Sequence, residues 1–154
     1  MKILAYIQIP PTTIFIDDDG KIHFTADADI DTDGTGDHHG DKTAQNETTL
    51  KLNGRNLNAD EDKFIVVPPV IIQSVDPIVL GCQARVFYRG NMTDAVVGDV
   101  GPHKKIGEVS RATAIALGIN PDPNRGGAES GVTYAIWPGK PAIVDGKQYS
   151  LQAS

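Results

Sequence analysis

Cysteine is almost absent from this chain of 154 residues. Cys82 stands alone, so no internal disulfide can form and a cysteine-based zinc site is excluded. Long hydrophobic runs are also missing: stretches such as Phe64–Val67 and Pro69–Ile72 fall far short of the roughly 18 apolar residues that a spanning helix needs. There is no basic stripe, and the net charge is −6, which argues against nucleic acid as a partner. No Gly-x-Ser-x-Gly elbow and no phosphate-cradling glycine loop leading into a helix occur, which removes those catalytic classes. Cys82 ends the segment Ile78-Val79-Leu80-Gly81-Cys82 and reads as a small buried hydrophobe and not a nucleophile.

What is present describes one folded domain over residues 1–154. Apolar residues make up 40% and charged residues 22%, values that fit neither disorder nor membrane embedding. Sixteen glycines and ten prolines imply many turns and short elements, so β-structure is favoured over a helical bundle. The opening Met1–Pro10 is interrupted by Tyr6 and Gln8 and reads as a strand, not a signal peptide. Localisation stays open.

Along the chain, Ile14–Ile16 and Lys21–Thr25 flank Asp18-Asp19-Gly20, a hairpin signal because Asp-Gly tolerates the positive φ of a tight turn. Residues 27–62 are polar and read as a long functional loop. Strands are expected at Phe64–Val67, Ile78–Tyr88, Ala95–Val97 and Val132–Trp137, the last stopped by Pro138-Gly139. A final Asp145-Gly146 hairpin joins Ala142–Val144 to Gln148–Leu151. One helix is clear: Ser110 as N-cap, Arg111–Leu117 as body, Gly118 as stop. The expected fold is mostly β with one or two short helices.

The charge is uneven. Residues 17–41 hold nine Asp against one Lys, a net of −8, which leaves +2 for the rest of the −6 total. Such a patch binds a cation, attracts a positively charged substrate, or is a solvated loop. Asp29-Ile30-Asp31-Thr32-Asp33-Gly34 copies the start of a calcium loop, but Gly40 stands where the closing Glu belongs. His38-His39 are adjacent and suit exposed loop histidines better than zinc ligands. The expectation is no metal and no cofactor. What remains is paired carboxylates. Asp99 follows an apolar strand and precedes Gly101-Pro102, and Glu108 comes nine residues later, before the helix. A carboxyl that protonates a leaving oxygen, with a second that activates water, is the machinery of glycoside hydrolysis.

The segment Val96-Val97-Gly98-Asp99-Val100-Gly101-Pro102, through Ile106-Gly107-Glu108-Val109-Ser110 to Leu117-Gly118-Ile119, closely resembles the catalytic segment of fungal-type chitosanases, glycoside hydrolase family 75. Asp27–Gly34, Phe64–Pro68, and Asn120–Pro123 with Gly126-Gly127 and Ser130–Tyr134 resemble that family's other motifs in the same order. The resemblance covers roughly residues 25–137. It implies endo, inverting cleavage of β-1,4 bonds in chitosan, with Asp99 and Glu108 as the acid–base pair. The Asp99-x-Gly-Pro and Ile-Gly-Glu-Val-Ser steps also resemble rare-lipoprotein-A-type proteins, and this implies a six-stranded double-psi β-barrel.

Glu108, between Ile106 and Val109, is the candidate acid because an apolar setting raises a carboxyl pKa, although the nearby helix N-terminus opposes this. Asp99 is then the base, and the roles could be exchanged. Asp29, Asp31 and Asp33 are expected to line the cleft and hold substrate amino groups or hydroxyls, with a self-organised Asx-turn loop as the other reading. Tyr88 and Trp137 are expected to stack on sugar rings. Thr32 stands where fungal members have cysteine. His103-Lys104-Lys105 opposes a polycationic substrate locally, while the Asp-rich segment favours it. A polysaccharide is the expected partner, with no nucleic acid, no membrane, and a monomeric state. Two alternatives fit the same features: a peptidoglycan-cleaving lysin of the same fold, and a glycan-binding or structural module without turnover.

Overall fold

The computed structural model describes residues 2–153; Met1 and Ser154 lie outside the described residues. Three strands open the chain, β1 (Ile3–Ile9), β2 (Thr12–Asp17) and β3 (Ile22–Asp31), each antiparallel to the next. A long excursion carries the two-residue ladder β4 (Lys51–Leu52) and β5 (Arg55–Asn56). Then follow β6 (Phe64–Val67), α1 (Pro69–Ser74), β7 (Cys82–Tyr88), β8 (Asn91–Val100), β9 (Glu108–Ser110), α2 (Arg111–Leu117) and β10 (Ala128–Pro141). A small hairpin, β11 (Ile143–Val144) and β12 (Lys147–Gln148), ends the fold.

Strands β3, β10, β7, β8, β6 and β9 are hydrogen-bonded in that order, and β9 returns to β3. The result is a closed six-stranded barrel of the kind expected, with β1 and β2 extending the sheet beyond β3. Two pairs, β3–β9 and β6–β8, run parallel, and β6–β9 joins them antiparallel. Thus β9 and β6 sit side by side at the centre of the four-strand row β8-β6-β9-β3. All four residues of β6 are buried, which explains why Phe64–Val67 reads as an unbroken apolar run and not as an alternation.

Strand β3 shows how local sequence decides. Ile22, Phe24, Ala26, Ala28 and Ile30 are all buried, at every second position. That period of two carries the strand through the segment read as loop and ends it only at Asp31. Asp27, Asp29 and Asp31 consequently share the opposite face. The expected loop starting at residue 27 is corrected to a loop starting after Asp31.

Helix α2 has the bounds expected. The Ser110 hydroxyl accepts from the Thr113 N–H at 3.3 Å and donates to the Asp62 carbonyl at 2.8 Å. Gly118 closes the helix at φ 74°, its N–H reaching the Ala114 and Ile115 carbonyls. An N-cap of this type is worth about 1 kcal/mol, and here it also anchors the end of β9, two residues after Glu108.

Other expectations needed adjustment. The strand placed at Ile78–Tyr88 starts at Cys82, because Gly81 turns at φ 87° and its N–H is taken by the Val97 carbonyl at 2.8 Å. Pro138-Gly139 does not stop β10: a register shift between Trp137 and Pro141 absorbs the interruption. Pro69 begins a short helix, a position where a missing N–H costs nothing.

Candidate active site

Strand register brings the candidate carboxylates into one line. Val66 on β6 pairs with Asp99 on β8 on one side and with Glu108 on β9 on the other. Glu108 in turn pairs with Asp29 on β3. Asp99 and Glu108 are therefore two strand intervals apart, about 9–10 Å between Cα atoms. Nine residues of sequence separation become two strand intervals because β8 and β9 both border β6.

These side chains line a cleft of about 530 Å³ together with Asp31, Asp33, Asp41, Glu47, Thr49, Lys51 and Lys105. Seven carboxylates thus face two ammonium groups. Gly107 makes the close approach of β9 to β3 possible. It sits at φ 93°, and a Cβ there would lie 2.6 Å from the Asp27 carbonyl oxygen, while its own carbonyl accepts from the Asp29 N–H at 2.8 Å.

Asp99 is buried and held on one oxygen. Its Oδ1 accepts from the Thr49 N–H at 3.0 Å, the Thr49 hydroxyl at 2.9 Å and its neighbour Val100 N–H at 3.0 Å. Burial pushes its carboxyl up to about 6. The Thr49 donors oppose this and the adjacent Asp33 carboxyl adds to it. Asp31, Asp33 and Asp99 bring one oxygen each within 4.8 Å of one another. Asp31, buried like Asp99, is pushed to about 8 by desolvation, with the Asp33, Asp99 and Glu108 charges adding and the Asp33 N–H, at 2.7 Å, opposing. Asp33 Oδ1 accepts from the Gln45 N–H at 2.7 Å. Carboxyls crowded this closely share protons, as like charges cannot all ionise at once.

Glu108 is set differently. Burial raises its carboxyl, and the Lys105 ammonium, 3.4 Å from Oε1, pulls it back. The same ammonium lies 2.9 Å from Asp29 Oδ2. The expected counterweight, the N-terminus of α2, is not the group in contact with the carboxyl; Lys105 is. Of the triplet His103-Lys104-Lys105 only Lys105 lines the cleft, while Lys104 lines a neighbouring depression with Asp27 and Glu129.

The fold brings together five of the seven expected site residues: Asp99, Glu108, Asp29, Asp31 and Asp33. Tyr88 and Trp137 lie elsewhere. Tyr88 pairs with Asn91 at the β7–β8 hairpin end, eight residues along β8 from Asp99, or about 26 Å at strand rise. Trp137 borders a separate depression with Arg85 and Asp94, its ring under the Lys21 and Arg85 cations. His38 and His39 turn to different partners, the Gly34 carbonyl at 3.1 Å and Asp60 at 2.9 Å. Thr49 and the bridging role of Lys105 were not anticipated. Thr49 sits in a polar loop without periodicity, and Lys105 showed only as charge.

A family model described as fungal chitosanase of glycosyl hydrolase group 75 matches residues 28–154. No curated protein matches the sequence. Among solved structures, the Streptomyces papain inhibitor is similar at a TM-score of 0.49 and 17% identity, covering 75% of this chain and 94% of its own. A likeness of that size carries no functional argument. The family match takes in β9, α2 and every carboxylate of the cleft named above.

Proposed function

The chain belongs to the fungal chitosanase family of glycosyl hydrolase group 75, and from that premise we propose that it hydrolyses the β-1,4 bonds of chitosan by a single displacement at Asp99 and Glu108. The observation that carries this reading is the cleft lining: seven carboxylates against two lysines, around a carboxylate pair spaced by two strands. A field of that sign draws in a polycation. Inverting hydrolysis needs its two carboxyls about 6.5–9.5 Å apart, with water between one of them and the sugar.

Asp99 is the base. Three donors on Oδ1 fix its orientation, and a carboxyl at about 6 is ionised at neutral pH yet basic enough to take a proton from water. The water oxygen forms the new bond to the anomeric carbon as the glycosidic bond breaks. Glu108 is the acid and delivers its proton to the departing glycosidic oxygen. Burial, which raises its carboxyl, suits that task. Asp29, Asp31 and Asp33 receive the sugar's ammonium and hydroxyl groups.

Incubating the purified protein with soluble chitosan, with chitin oligomers and with bacterial peptidoglycan tests the reading. New reducing ends from chitosan alone are expected. Reducing ends from peptidoglycan only, or from none of the three, would overturn it in favour of a lysin or a non-catalytic module respectively.

A further inference from the structure

Lys105 occupies an odd position for a glycosidase that works on a polycation. It stands on the β8–β9 connection, with its ammonium 2.9 Å from Asp29 Oδ2 and 3.4 Å from Glu108 Oε1. Asp29 and Glu108 are register partners on adjacent parallel strands, so the ammonium bridges a carboxylate pair that the barrel itself sets up. A lysine side chain and a protonated glucosamine present the same head, an N⁺H₃ group with three donors. Resting on the proposed action on chitosan, we propose that Lys105 is a resident stand-in for the substrate's ammonium group: it bridges Asp29 and Glu108 in the free protein, and a glucosamine ammonium that takes its place at Asp29 releases Glu108 to carry the proton it gives to the leaving oxygen.

Three features support the exchange. The Lys105 side chain is 46% exposed and that of Asp29 47%, so their ion pair is screened by water and weak; displacement costs little. The Glu108 side chain is only 15% exposed, so once its cation leaves, burial acts on the carboxyl unopposed. Of the carboxyls that face Glu108, Asp29 and Asp33, from β3 and its end, favour the protonated form; Asp31 and, from β8, Asp99 line the same cleft, and the cleft's other cation, Lys51, is held by the Asn56 amide oxygen. Tyr134 from β10, buried and neutral, adds no charge to balance them. The proton that Glu108 takes up comes from solvent when the sugar binds. An N-acetylated sugar is neutral at this position and cannot replace Lys105 at Asp29, so the exchange makes Lys105 a positioning residue that selects the free amine.

Only four glutamates occur in the chain, Glu47, Glu61, Glu108 and Glu129, so carboxyl ¹³C NMR follows Glu108 directly. In an Asp99→Asn background that prevents turnover, saturating glucosamine tetramer should raise the Glu108 titration midpoint by about one pH unit, while the N-acetylated tetramer should leave it in place. Lys105→Met should raise the midpoint by a similar amount without sugar and abolish the further response; Lys105→Arg should restore the low midpoint. A midpoint that stays or falls when the glucosamine tetramer binds, or that ignores Lys105→Met, overturns the inference. Wild-type protein that cleaves chitosan alongside such a result loses this inference alone. Wild-type protein that leaves chitosan intact ends the proposed function and the inference together.

Discussion

Thr49 grips Asp99 from 50 positions away, its backbone N–H and its hydroxyl both donating to the same oxygen, Oδ1, at 3.0 and 2.9 Å. Both bonds favour the ionised carboxylate and oppose the burial that lifts it to about 6. Thr49→Val keeps the shape and the N–H but removes the hydroxyl. The low-pH limb of kcat/KM, which reports ionisation of the base, should therefore move upward from about 6. Stability should fall by about 1.5–3 kcal/mol, the value of a hydrogen bond to a charged group. A pH–rate profile and a urea titration check both.

Asp33 acts on Asp99 with the opposite sign, since its carboxyl adds to the rise. In Asp33→Asn an amide oxygen still accepts the Gln45 N–H, but the negative charge is gone. The low-pH limb should move down, below about 6. A limb that does not move would separate Asp33 from the base.

Asp31 links the cleft to stability. Its carboxyl stands at about 8 in the folded protein against an ordinary 3.8. Between those values the folded state holds a proton that the unfolded chain has lost, so this group's contribution is fully present below about 4 and drains away as pH rises toward 8. Asp31→Asn removes the drain. Its melting temperature should exceed that of the wild type by a margin that widens from pH 4 to pH 8. A margin that narrows with rising pH would mean that Asp31 is stabilised as an anion.

The three oxygens of Asp31, Asp33 and Asp99 within 4.8 Å read here as a proton-sharing cluster, since each residue already has a carboxylate oxygen committed to a backbone N–H. A chelator should leave turnover and melting temperature unchanged. A fall in melting temperature reversed by calcium would contradict that reading.

Much of this was legible in the sequence, for reasons that differ from residue to residue. The Ser110 cap and Gly118 stop are local chemistry, and they bounded α2 correctly. Asp99 and Glu108 came through as a motif, but their alignment across Val66 did not. That depends on β6 lying between β8 and β9, a long-range pairing that no local pattern encodes. Asp29 and Asp31 were legible as cleft residues but not as strand residues, because small Ala28 weakens the alternation that makes β3 a strand. Tyr88 and Trp137 lie outside the carboxylate cleft, a placement hidden from the sequence because an aromatic residue in a strand does not reveal which end of the barrel it faces. Lys105 was visible only as a charge hostile to a cationic substrate; its seat between Asp29 and Glu108 gives that charge a different meaning.

The central claim is that Asp99 and Glu108 divide the work of a single displacement. The most direct measurement is ¹H NMR of the first products from a glucosamine hexamer, with wild type, Asp99→Asn and Glu108→Gln. The wild type should release the α-anomer first, as inversion at a β-linkage demands. Each near-isosteric variant should lose turnover by at least about 100-fold, the usual contribution of one acid or base, without losing its melting transition. A β-anomer released first, or near-normal turnover in either variant, would contradict the account.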